Sequence, residues 1–365
     1  MVPTLEAACE ALHAERFDVV LNTVSVGHEY GMGLPSLLLD LASQGVLTQL
    51  PHLLWCSDMP PGLLDSHARL AREAGVPVQV IPSWSADTPR QVLRVLARGD
   101  SLRCPQTANG APSLDDQELL AALLDERDMR IVVQPQVDLR TGQYIGAEAL
   151  ARWRHPLLGE IPASVFVPMA EKAGLSMLLF HFVEAKVVSL LRRLDQLGVA
   201  LPVSVNASAV ILCAPGLAQR LALRLEQAGL PNALLKVELT EDVPVSDMLP
   251  LSTALGALRL RGFSVAVDDY GRGASTLDLL TRLPFSELKI DGRFVRGMGL
   301  EPGCNAAVTG AISIAREMGL AFIAEGIETQ EQVRKLLELG CCSGQGYALS
   351  RPLEVEDFIA KVSAP

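Results

Sequence analysis

Between Ile131 and Leu349 eight short apolar runs recur, separated by stretches of helical hydrophobic periodicity. They are Ile131–Val133, Tyr144–Ala147, Val203–Val205, Leu234–Val237, Ser264–Val267, Leu288–Ile290, Ala321–Ala324 and a weaker one near Gly344–Leu349. Short apolar runs of this kind read as buried strands. Eight of them alternating with helices over about 250 residues predict an α/β fold, a C-terminal (β/α)8 TIM-type barrel.

What ends each run is equally regular. Gln134 follows the first, Glu148 the second and Asn206 the third. Glu238 ends the fourth, with Glu241 one turn on, and Asp268 and Asp269 end the fifth. Asp291 follows the sixth just after Lys289, Glu325 follows the seventh with Glu328 beyond it, and Gln345 sits in the eighth. In a barrel these positions converge on the C-terminal rim, where active sites lie. Adjacent carboxylates repel each other and lose hydration when brought together, so Asp268-Asp269 points to a cation that joins them. Asp115-Asp116 is an internal control: it follows Ser113 ahead of a helical pattern and reads as a helix start.

The ring offers only oxygen ligands, and no histidine follows His181, which disfavours imidazole-type zinc or iron sites. Mg²⁺ or Mn²⁺ are its natural guests, and so many carboxylates point to two ions about 3.5–4 Å apart, as in two-metal phosphoester hydrolysis. Asp268 could bridge them, Lys289 could orient a water or neutralise a phosphate oxygen, and Arg152 could pair with a phosphate through its planar fork.

The 365 residues are 49% hydrophobic, ample for a large core, and their length predicts two domains. A formal net charge of -11 argues against nucleic-acid binding through a basic surface, yet leaves room for a small phosphorylated ligand held by metal. Met1–Glu10 has no positive region of a secretory signal, and the apolar stretch Leu175–Leu191, interrupted by His181, Glu184 and Lys186, reads as an amphipathic helix rather than a membrane span. Seven scattered cysteines, with Cys341-Cys342 read as packing, point to a reduced, cytoplasmic protein without a membrane association.

Residues 1–98 alternate helix and strand: helix Thr4–Arg16, strand Phe17–Leu21, helix Leu34–Gly45, strand His52–Cys56, helix Leu63–Gly75, strand Val76–Ile81 and helix Thr88–Arg98. This predicts a small parallel α/β layer. Its order resembles the second half of a bacterial receiver domain; on that analogy the phosphoacceptor position falls near Asn22 or Thr23, which implies a degenerate receiver that takes no phosphoryl group. A generic α/β module for docking a protein partner or for dimerisation is the other reading. Residues 99–113, rich in turn formers, read as a linker, and 114–365 as the barrel domain.

The ordered motifs resemble one family, the EAL-domain phosphodiesterases, which hydrolyse the bacterial second messenger cyclic di-GMP. The signature stands as Glu148-Ala149-Leu150, followed by Ala151-Arg152-Trp153, with Gln134-Pro135 upstream. Asn206, Glu238-Leu239-Thr240-Glu241, Asp268-Asp269-Tyr270-Gly271, Lys289-Ile290-Asp291, Glu325-Gly326-Ile327-Glu328 and Gln345-Gly346-Tyr347 complete it. The resemblance implies that Glu148, Asn206, Glu238 and Asp268 hold one metal and Asp268 and Asp269 the other. It implies that Glu325 is the general base or water activator, with Lys289 beside it, and that Glu241 holds the loop after the fifth strand. Gln134, Leu150, Arg152, Asp291 and Gln345 resemble positions that place the dinucleotide, metals or water, and Glu328 a supporting position. The implied reaction opens cyclic di-GMP to linear pGpG by a metal-activated water, in a homodimer built through the barrel. Three departures stand out: Val132-Val133 where tyrosines are common, Arg272 and Ala274 in the loop Gly271–Leu277, and no GGDEF-type cyclase domain. The loop changes leave a second expectation open, a weak or inactive sensor of cyclic di-GMP or a protein-interaction module.

Overall fold

A computed structural model describes residues 4–23, 32–57, 64, 68, 71–72, 74–82, 114–125, 127–240, 248–272 and 276–363. It divides into two compact units, Met1–Ser113 and Leu114–Pro365.

In the first unit, strands β1 (Val19–Thr23), β2 (His52–Ser57) and β3 (Val78–Pro82) form a three-stranded parallel sheet in that order. Helices Leu5–Ala14 and Leu34–Ser43 accompany it; Leu12, Leu38, Leu41, Leu53 and Trp55 are among its buried core residues. The predicted small parallel α/β layer is thus present. The expected helix Thr88–Arg98 and the linker 99–113 lie outside the described residues, as does most of Leu63–Gly75.

In the second unit, β4 (Met129–Asp138), β5 (Tyr144–His155), β7 (Val203–Ala207), β8 (Leu235–Leu239), β9 (Ser264–Tyr270), β10 (Glu287–Ile290), β11 (Ala321–Ala324) and β12 (Ser343–Gly344) close into an eight-strand barrel. Two short strands, β6 (Gly159–Ile161) and β13 (Leu353–Glu354), add to its margins. One expectation is corrected here. β4 runs antiparallel to both β5 and β12, so the barrel is not uniformly (β/α)8. The physical reason is chain length: a parallel neighbour needs a crossover of a dozen or more residues, and only Leu139–Gln143 separate β4 from β5. That link is a tight turn in which Asp138 Oδ1 accepts from the backbone N–H groups of Arg140 and Thr141. β4 also extends well past Val133, and the weak eighth run contributes only the two residues of β12.

All five residues of β8 and all four of β10 are buried. Because side chains alternate along a strand, Leu235, Val237 and Leu239 share one face of β8, and Leu288 and Ile290 one face of β10. These five join the main hydrophobic core, and the opposite faces carry Lys236 and Glu238, and Glu287 and Lys289. The barrel interior is therefore polar where two apolar faces would be the rule for buried strands. Cys341 is buried, and burial pushes its thiol up to about 12, in keeping with a packing role. No helix among the described residues is long and apolar enough to cross a membrane.

Candidate active site

Lys289 is the centre of the rim. It is fully buried, at 0% exposure, and its Nζ donates to Glu238 Oε2 at 2.7 Å and Asp268 Oδ1 at 2.9 Å. It also contacts Glu325 Oε1 at 2.7 Å and Glu148 Oε2 at 3.4 Å. These four carboxylates leave four different strands or strand ends, β8, β9, β11 and β5, and meet only because the barrel closes. Two acidic groups can each converge ligand atoms within 4.8 Å: Glu148, Glu238 and Asp268, and Asp268, Asp269 and Glu325. Asp268 belongs to both.

A shell of amides orients Glu148. Asn206 Nδ2 donates to its Oε1 at 2.8 Å, and Gln345 Nε2 donates to its Oε2 at 2.7 Å and to Gln134 Oε1 at 3.1 Å. Gln134 in turn donates to the Ser350 carbonyl at 3.4 Å. Because β4 is antiparallel, Gln134 stands directly across the ladder from Glu148.

Five carboxylates against one ammonium leave this cluster strongly negative, and its proton affinities show it. Burial, then repulsion from neighbouring acids, pushes Glu238 up to about 8 and Asp268 up to about 6, against the pull of Lys289. Glu325 is raised well above the ordinary range by the same causes. Burial acts on Glu148 too, but Lys289, Gln345 and Asn206 outweigh it and hold that carboxyl below its usual value. Burial would strip Lys289 of its proton; the surrounding acids keep its pKa well above normal instead.

Asp269 takes the left-handed conformation, φ 54°, which non-glycine residues adopt rarely and mostly at functional positions. Its Oδ2 pairs with Arg272 Nη1 at 3.1 Å. Gly271 follows at φ 94°, where a Cβ would also lie 2.7 Å from the Phe294 ring, so the turn requires glycine.

The other expected residues are placed as follows. Arg152 is partly buried on β5, with Nη1 donating to the Ala151 carbonyl at 2.8 Å; Leu150 lies two residues before it on the same strand. Asp291 is buried and caps a short helix, its Oδ1 accepting from the Arg293 N–H at 2.7 Å. Glu328 is exposed, and its backbone N–H donates to Gln332 at the next helix start. Glu241 and Ala274 lie outside the described residues. Sequence reasoning missed Gln136, Lys236 and Glu287, all buried inside the barrel. The signal was there: each stands two residues from Gln134, Glu238 or Lys289, hence on the same strand face.

Asn206 Oδ1 and Glu238 Oε1 are buried oxygens with no hydrogen-bond partner among the described residues, an arrangement that costs free energy unless something positive meets them. Both belong to the all-oxygen ring. The residues fit a hard divalent cation.

Fold and ring define the class: an α/β barrel with one reversed strand and an acidic, oxygen-lined site at its rim. The EAL domain family model matches residues 116–352, and the chain belongs to that family. The cyclic di-GMP phosphodiesterase RocR of Pseudomonas aeruginosa is 35% identical over 236 residues, which cover 65% of this chain and 60% of RocR. The cyclic di-GMP phosphodiesterase PA2567 of the same organism is 32% identical over 67% of this chain and 42% of its own. Among solved structures, the PaMucR phosphodiesterase in complex with c-di-GMP superposes with a TM-score of 0.63 at 34% identity, covering 67% of this chain and all of that one. The alignments thus span three-fifths or less of these two curated relatives.

Proposed function

We propose that the barrel hydrolyses cyclic di-GMP to linear pGpG with Mg²⁺ or Mn²⁺, two ions per site. The observation that carries this reading is the unbalanced ring: five carboxylates, one lysine and two buried oxygens without hydrogen-bond partners among the described residues. If all five acids ionise, the excess over Lys289 is four negative charges, matched by two divalent cations. The names of RocR, PA2567 and the PaMucR complex support the substrate.

Glu148, Asn206, Glu238 and Asp268 would hold one ion, and Asp268 and Asp269 the other. The ions would supply Lewis-acid activation of water and neutralise phosphate charge. Glu325, 15% exposed at its side chain and within the ring, would accept a proton from the attacking water. Lys289 Nζ, 2.7 Å from Glu325 Oε1, stabilises the ionised form of that base and adds positive charge for the phosphodiester oxygens. Arg152 has planar donors for a non-bridging phosphate oxygen, and Gln134 and Gln345 hold Glu148 in place.

One observation favours the second reading, a weak enzyme that serves as a sensor: the guanidinium of Arg272 sits on Asp269, a residue assigned to the second ion. The N-terminal unit is proposed as a regulatory, receiver-like module, and the barrel as a homodimer. The deciding experiment is conversion of cyclic di-GMP to pGpG by the purified chain. Turnover with Mg²⁺ or Mn²⁺, lost in EDTA and in Glu148→Ala, is expected; absence of turnover despite tight binding of the dinucleotide would assign the ring to sensing.

A further inference from the structure

A second lysine lies inside the barrel. Lys236 and Glu287 are 7% and 6% exposed, and Lys236 Nζ donates to Glu287 Oε1 at 2.7 Å and Oε2 at 2.5 Å. Each stands two residues nearer its strand's start than Glu238 or Lys289, so the pair lies deeper in the barrel than the rim. Among the described residues no hydrogen bond or ion pair joins either one to the ring directly.

Contact runs through two amides. Lys236 Nζ also donates to Gln136 Oε1 at 3.4 Å, and Gln136 is 1% exposed. Gln136 Nε2 donates to Gln345 Oε1 at 3.3 Å, and Gln345 Nε2 donates to Glu148 Oε2 at 2.7 Å. The polarity of this chain follows from chemistry. An ammonium only donates and an ionised carboxylate only accepts, so a glutamine between them is satisfied in one orientation. Lys236 makes Gln136 present its oxygen; Gln136 then offers its NH₂ to Gln345, whose own NH₂ is left for Glu148. A flipped Gln136 would set its oxygen against the Gln345 oxygen and push that amide out of line. The strand opposite leaves the space: Gly146 pairs with Gln136 across the ladder, and a Cβ there would lie 3.0 Å from Gln136 Oε1.

We propose that Lys236 is a positioning residue for the metal-ligating carboxylate of Glu148, acting through the fixed orientation of Gln136 and Gln345. The proposal rests on the reading of the ring as a divalent-cation site. Groups that orient a metal ligand typically alter affinity 10–100-fold when removed.

The test is Mn²⁺ binding to the metal-free full chain by titration calorimetry, with thermal unfolding as a fold check. K236M/E287M removes both charges together, a change that buried ion pairs tolerate; if it does not fold, K236Q/E287Q takes its place and is read the same way. Weakening of Mn²⁺ binding by about 10–100-fold is expected, with a similar loss in Q136L and no further loss when the two are combined. Wild-type affinity in the double variant, or losses that add, would overturn the relay. An unmodified chain that binds no Mn²⁺ would overturn the cation reading of the ring, and the relay with it.

Discussion

Two buried lysines occupy one barrel, and they differ above all in how many carboxylates each one faces. Lys236 faces one carboxylate, Glu287, and both oxygens of that carboxylate are used. Lys289 faces four, Glu148, Glu238, Asp268 and Glu325, with Asp269 beside them. The balanced pair leaves no charge over, and it binds the barrel interior together. The overloaded cluster has more negative charge than any one ammonium can neutralise, and the excess shows in the proton affinities of Glu238, Asp268 and Glu325, all raised by burial and by neighbouring acids. Burial of a lysine is common to both; stoichiometry separates a structural pair from a site that waits for cations.

The sharpest break of this comparison is Glu148→Ala, expected to lower turnover of cyclic di-GMP by about a thousandfold or more, the scale of several kcal/mol of lost metal-assisted stabilisation. Steady-state hydrolysis by folded protein checks it, and near-normal rates would move the chemistry away from the ring.

A pair of lysine variants sharpens it next. Lys236→Met strands Glu287 as an uncompensated buried charge and should cost about 3–5 kcal/mol in chemical unfolding, a deficit relative to the unmodified chain that Mn²⁺ does not close. Lys289→Met removes the cation from a cluster that divalent ions can still neutralise, so its loss of stability should be largely recovered by Mn²⁺. Equal behaviour of the two variants would erase the distinction drawn here.

The raised proton affinities of these acids set a pH dependence of opposite sign to ordinary acid denaturation. Glu238, at about 8, and Asp268, at about 6, are raised above their ordinary values of 4.5 and 3.8. Between the unfolded and folded values the folded chain binds more protons than the unfolded chain, so their contribution to stability falls as pH rises. The unfolding temperature of metal-free protein should therefore decline from about pH 6 to pH 8 relative to Glu238→Gln, and saturating Mn²⁺ should flatten that slope. A slope unchanged by that substitution would remove Glu238 as its cause.

The smallest effect is expected at Arg272. Its pairing with Asp269 is solvent-exposed, and such pairs contribute little. Arg272→Ala should tighten Mn²⁺ binding by about two- to fivefold, read by calorimetry; weaker binding would show that the guanidinium supports the ring instead of competing for it.

Much of this architecture was legible in advance because it rests on local pattern. Short apolar runs such as Ser264–Val267 and Leu288–Ile290 mark buried strands, and polar residues at the strand ends mark a rim. The reversal of β4 was legible too, in the spacing between Val133 and Tyr144, too short for a crossover helix, but the expectation of uniform alternation hid it. Asp291 shows a limit of such reading: its place after Lys289 matches a ring position, and its Oδ1 also caps the helix that begins at Gly292. A residue's position along the chain does not say which of two nearby donors its side chain will serve.

The sequence by itself determined the kinds of element, their order and the oxygen-only chemistry of the rim, since each follows from residues within a few positions of one another. Only the tertiary structure decided which acids share a lysine. Lys289 meets Glu148 across 141 positions and Glu238 across 51, and Gln345 reaches Glu148 across 197. No local preference encodes such meetings. They follow from closing eight strands into one ring, which brings distant strand ends within hydrogen-bond reach and sets the balance of charge inside.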